Sequence, residues 1–195
     1  MHNLVYFDLE TQNAFRGALR DPSQLKISIA VTYTTAHRTY TIYTENEIPQ
    51  LLDTLQRADA VIGYNILDFD FRVLSNYTLF DLSHIPTLDL MKDLERSIGN
   101  RIGLTAVAQA TLGIGKTSDG LEAIRLWQAK QYRQVAEYCC YDVKLTRLLH
   151  EYGAYHGKIH YMNKRTLKME QALVSWKPQD ILAKNRTLAT TSNFN

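Results

Sequence analysis

Apolar and polar positions alternate along the chain in two periods, and their succession sets the elements. Val5-Tyr6-Phe7-Asp8-Leu9-Glu10-Thr11 opens as a short strand in which two carboxylates interrupt an apolar run. Residues 12–24, polar with Gly17 and Pro22, read as a loop. Leu25–Tyr33 and Arg38–Tyr43 are rich in β-branched and aromatic residues and predict a hairpin beside the first strand. Thr44 and Glu47 form a capping-box pattern, after which Ile48, Leu51, Leu52 and Leu55 recur at helical spacing to about residue 58. Ala60–Gly63 is a short buried strand. Asp70–Tyr77 starts a helix with Phe71 and Leu74 inward, and Pro86–Leu90 returns the chain toward the sheet. Helical periodicity follows at Asp89–Ile98, Leu104–Leu112 and Gly120–Gln128, and its longest run spans Tyr132–Tyr155. Lys158–Met162 and Leu173–Trp176 predict a terminal hairpin, and the final Thr- and Asn-rich segment reads as mobile. Strand, hairpin, helix, strand and then helices is an α/β order.

Composition narrows the class little. With 195 residues, 45% hydrophobic and 22% charged, the chain fits one soluble domain with a core and a tail. No apolar run reaches membrane-spanning length. The first strand begins almost at the N-terminus, so the expectation is no signal peptide and a cytoplasmic protein. The two cysteines, Cys139 and Cys140, are neighbours in a predicted helix, where adjacent side chains diverge. Neither a disulfide nor a zinc site follows, and core filling is their expected role. The net charge is +2, and residues 151–195 carry seven basic and three acidic side chains. A basic tail beside an acidic site suits a polyanion, and it equally suits a solvated surface.

Three clusters hold the candidate chemistry. Asp8 and Glu10, two apart on a strand, point to the same face. Such a pair is unfavourable unless a cation lies between them, and hard divalent ions prefer carboxylate oxygens. The second cluster, Gly63-Tyr64-Asn65-Ile66-Leu67-Asp68-Phe69-Asp70, puts an amide and two acids in a turn that enters a helix. In the third, Tyr138 and Asp142 lie four apart and share a helix face. Gly115-Lys116-Thr117 imitates the end of a phosphate-binding loop. The first glycine of that pattern is Ala110 here and a helix rather than a strand precedes it, which excludes the reading.

Together the three clusters resemble the motifs of the DEDD superfamily of 3′–5′ exonucleases, in order and over residues 4–156. The second cluster is most similar to that of family-B DNA polymerase proofreading domains and of stand-alone bacterial relatives. Tyr138-x-x-x-Asp142 is the tyrosine version, since the histidine version needs His where this chain has Glu137. The resemblance implies an α/β, RNase H-like fold with a central mixed five-stranded sheet flanked by helices. It implies an exonuclease domain over residues 1–162, with residues 163–195 as a C-terminal hairpin and tail. It further implies that Asp8, Glu10, Asp70 and Asp142 hold two Mg²⁺ or Mn²⁺ ions and that Tyr138 acts on the attacking water. Thr11 and Asn65 would position the 3′ end of single-stranded DNA or RNA. Asp68 and Asp89 have no assigned role. An inert nucleic-acid-binding module on the same fold is the alternative.

Overall fold

A computed structural model of the chain describes residues 2–15, 21–115 and 121–183. Lys116, Thr117 and the Thr- and Asn-rich end lie outside the described residues. Strand β1, Leu4–Thr11, is followed by β2, Ile27–Thr34, and β3, Thr39–Thr44. Helix α1, Ile48–Gln56, leads into β4, Ala60–Gly63, and the short helix α2, Asp70–Leu74. Strand β5, Thr87–Asp89, precedes α3, Leu90–Ile98, α4, Leu104–Leu112, and α5, Glu122–Gln128. The long helix α6, Tyr132–His156, ends in a hairpin of β6, Lys158–Asn163, and β7, Lys168–Leu173.

The sheet order is β3-β2-β1-β4-β5. β1–β2 and β2–β3 pair antiparallel, while β1–β4 and β4–β5 pair parallel, so the five-stranded sheet is mixed, as the resemblance implied. Both faces are covered, which is why β2 is buried at every position. Val5, Phe7 and Leu9 pack with Leu51, Leu55, Phe71 and Leu74 under α1 and α2. Leu4 and Tyr6 pack on the opposite face with Val135, Cys139, Val143 and Leu149 of α6. By strand alternation Asp8 and Glu10 continue the Leu4–Tyr6 row. The two acids therefore face α6.

Boundaries moved by a residue or two at most elements, as fraying ends do. Asp70–Tyr77 divides into α2 and a 3₁₀ turn over Ser75–Tyr77. The second strand of the terminal hairpin is the real difference. It is Lys168–Leu173 rather than Leu173–Trp176, because a tight turn with Leu167 at φ 54° starts it early. Its burial signal is weak in sequence, with Ala172 as its buried residue. Beyond it the chain folds inward and Trp176 is fully buried.

Trp176 stacks on His150, and its indole N–H donates to Asp93 at 2.7 Å. His150 Nε2 must carry hydrogen, because its partner is the Trp176 carbonyl; Nδ1 then accepts from the Tyr6 hydroxyl at 2.9 Å. A Cβ on Gly153 would meet the indole at 2.3 Å, so this glycine makes room for it. The expected result of Trp176→Ala is a loss of about 3–5 kcal/mol in denaturant unfolding at an unchanged helix content. A loss under about 1 kcal/mol would mean that the segment after β7 adds nothing to the core.

Candidate metal centre

Asp8, Glu10 and Asp142 each offer a carboxylate oxygen, and these oxygens lie within 4.8 Å of one another. The first two come from the C-terminal half of β1, where the β2 register shifts between Glu10 and Thr11. Asp142 comes from the third turn of α6, and Tyr138 stands one turn earlier, partly buried against the α6-side core. Cys139, fully buried between them, turns its thiol to the main-chain and side-chain oxygens of Asp8, both at 3.4 Å. Core filling was the expected role of Cys139. It also buttresses Asp8.

Asp70, 2% exposed, is the first residue of α2 and accepts a hydrogen bond at 3.0 Å from the amide of Leu9. That amide lies between the two acids of β1, so Asp70 flanks the cluster. Asp68 has gone elsewhere. It is half-exposed and paired with Lys92 at 2.7 Å and with Arg101.

The turn that delivers Asp70 is held by Asp89, for which sequence reading found no role. Its carboxylate accepts from the amides of Asn65 at 2.8 Å and Leu67 at 3.0 Å, and it caps α3 through Met91 and Lys92. An acid just before a helix is a readable cap signal; its grip on a turn 24 residues upstream is not. Asn65 adopts φ 69°, and its side-chain oxygen is buried without a hydrogen-bond partner. Gly63 allows the close approach at the strand end, since a Cβ there would lie 2.2 Å from Ile66 and 3.0 Å from the Phe7 carbonyl. Thr11 is buried, and its hydroxyl donates to the Asn13 carbonyl at 3.0 Å rather than to the acids.

The electrostatics are those of a crowded anionic pocket. Burial raises the Asp8 carboxyl well above the usual range, and Asp70, Asp142 and Glu10 raise it further. Burial pushes Asp70 up to about 8 against the pull of the Leu9 amide, with Asp89 and Asp142 adding to the rise. Carboxylates that destabilise one another in this way are relieved by a hard cation with oxygen ligands, so the donor set fits Mg²⁺ or Mn²⁺.

The profile of the RNase H superfamily matches residues 5–153. Among solved structures the chain is similar to the family B DNA polymerase from the hyperthermophilic archaeon Pyrobaculum calidifontis. The TM-score is 0.61 at 18% identity, over 78% of this chain and 24% of the polymerase chain. The likeness is one of fold, and this chain spans about a quarter of that polymerase's length. No curated protein sequence matches the chain.

Proposed function

Since the chain belongs to the RNase H superfamily, we propose that it is a two-metal-dependent 3′–5′ exonuclease acting on the 3′ end of single-stranded DNA or RNA. Family membership supports a nuclease in general. The observation that carries the finer reading is the meeting of Asp8, Glu10 and Asp142, from segments more than 130 residues apart, within 4.8 Å. Asp70 flanks them on the Leu9 amide.

In this reading Asp8, Glu10 and Asp142 would hold one Mg²⁺ or Mn²⁺, and Asp8 with Asp70 would hold the second. Such ions, when bound, would supply an acidified attacking water and stabilisation of the leaving 3′ oxygen. Asp89 keeps the Asp70 turn in place, and the Cys139 thiol fixes one oxygen of Asp8. Tyr138 orients the water. A phenol with a pKa near 10 is too weak a base to take its proton fully at neutral pH. Asn65, whose side-chain oxygen is buried and unmatched, and Thr11 position the terminal nucleotide. A cytoplasmic location belongs to the same reading.

The test incubates 5′-labelled single strands of DNA and RNA with the protein and Mn²⁺, or with EDTA. A metal-dependent ladder that shortens from the 3′ end is expected, and the better of the two substrates names the nucleic acid. Binding without shortening would favour the inert module. Tyr138→Phe is expected to lower kcat about 10- to 100-fold with KM little changed, as loss of a water-orienting group does. An equal rise in KM would assign Tyr138 to substrate binding instead.

A further inference from the structure

The hairpin after α6 has a base and a tip of opposite character. At the base Ile159, Tyr161 and Ala172 are buried in the α6-side core. There Thr111 of α4 makes two hydrogen bonds with the His160 backbone, at 2.8 and 3.0 Å. At the tip, residues 164–169 are exposed without interruption. An exposed turn of this kind is usually mobile. This one is braced. The Asn163 side-chain oxygen accepts from the amides of Arg165 at 2.9 Å and Thr166 at 3.2 Å, and the Leu167 amide donates to the Asn163 carbonyl at 2.8 Å. Glu170 closes the turn from the other strand, accepting from Tyr161 at 2.8 Å, Asn163 at 2.9 Å and Thr166 at 3.0 Å.

What the braced turn presents is charge of one sign. Residues 158–173 hold four cations, Lys158, Lys164, Arg165 and Lys168, and one acid, Glu170, whose oxygens are taken by the three neutral donors. Among the described residues no carboxylate stands within ion-pair distance of Lys164, Arg165 or Lys168, whereas Arg57, Arg72, Arg101, Arg125 and Arg133 are each paired with one. The metal centre cannot supply attraction for a polyanion by itself. Its four acids, Asp8, Glu10, Asp70 and Asp142, repel phosphates, and two divalent ions would do no more than balance them. We propose that the tip of the β6–β7 hairpin, through Lys164, Arg165 and Lys168, binds the phosphate backbone of the nucleic-acid strand as a site separate from the metal centre. Residues 162–169 include no aromatic side chain, so the tip offers charge rather than base stacking, and the binding is independent of base sequence and sensitive to salt. The inference rests on the nucleic-acid substrate of the proposed function and not on its metal chemistry.

The test is fluorescence anisotropy of a 5′-labelled single strand of mixed sequence with the full chain in EDTA, where binding is read without cleavage. The triple change Lys164→Gln, Arg165→Gln and Lys168→Gln, all at exposed positions, is expected to weaken binding at least about tenfold at about 0.1 M salt. It is also expected to flatten the slope of log affinity against log salt by about 2, because each single-strand phosphate contact contributes about 0.7. Exchanging the cations, Lys164→Arg, Arg165→Lys and Lys168→Arg, is expected to keep the affinity within about twofold, since a phosphate backbone reads charge. Removing two cations from other exposed positions, Arg38→Gln with Arg57→Gln, is expected to change it less than about twofold. In Mn²⁺ the Gln triple is expected to raise KM with kcat unchanged, as loss of uniform binding does. A strand that the wild type does not bind, a Gln triple no weaker than the Arg38 and Arg57 pair, or binding to anionic lipid vesicles in preference to the strand would each overturn the proposal. Tip-dependent binding without shortening in Mn²⁺ would sink the nuclease reading and uphold this one.

Discussion

Asp142→Ala is expected to lower metal-dependent shortening of a labelled strand by at least about 10³-fold while leaving the fold intact. The size follows from position. Asp142 closes a triangle with Asp8 and Glu10 whose oxygens lie within 4.8 Å, so its removal leaves two ligands on one strand and none above them. In the proposed reaction the ions held here would supply both the nucleophile and the leaving-group stabilisation, and the loss of either is worth several kcal/mol of barrier. Stability should move the other way. Asp142 is one of the charges that raise Asp8 and Asp70, so deleting it relieves repulsion in the metal-free protein. Thermal unfolding in EDTA is thus expected to rise or hold in Asp142→Ala as activity disappears. Wild-type activity in this variant would remove Asp142 from the reaction, and lost activity with a collapsed melting temperature would make its role structural.

Divalent cations are expected to stabilise the protein, more so at pH 8 than at pH 6. Saturating Mg²⁺ or Mn²⁺ at about 100 times its dissociation constant contributes about 2.7 kcal/mol, or roughly 5–10 °C in a chain of this size. The pH dependence has a definite sign. Asp70 is raised in the folded state to about 8 from an ordinary carboxylate value near 3.8. The stability linked to its bound proton is present at low pH and is lost as pH climbs toward 8. His150 opposes this on the acid side. Burial lowers it to about 4, so its contribution is intact above about 6.5 and is lost as pH falls toward 4. Metal competes with the proton at Asp8 and Asp70, so its effect grows where those protons are leaving. Differential scanning at pH 6, 7 and 8, with metal and with EDTA, measures the difference. Asp8→Asn is expected to reduce the metal shift at all three. A shift that is the same at pH 6 and pH 8 would separate metal binding from the buried acids.

Much of this arrangement can be read before folding, because the informative signals are local. The Asp8–Glu10 spacing on a strand fixes their common face. The Leu4–Tyr6 row that they continue fixes that face toward α6, and the Tyr138–Asp142 spacing fixes a shared side of that helix. The boundaries of β4 and α4 follow directly from apolar runs ended by glycine. What escaped was carried by contacts across the sequence. Asp68 and Asp70 have the same chemistry two positions apart. Lys92 and Arg101, which occupy Asp68, come from α3 and the segment after it. Cys139 looks like filler because its hydrogen bond runs to a residue 131 positions away. The β7 strand leaves little trace in the sequence because it buries little, while the apolar residues after it serve the core as a folded-back segment rather than a strand.

Asp89 has a consequence for how the molecule breathes. One side chain accepts hydrogen bonds from the amides of Asn65, Leu67 and Met91, besides that of Lys92, so the first three do not open to solvent independently. In deuterium exchange the three should share one opening rate although they sit in two separate stretches of chain. Replacing Asp89 by Asn should speed all three together. The loop that carries Asp70 and the start of α3 would then open and close as a single unit.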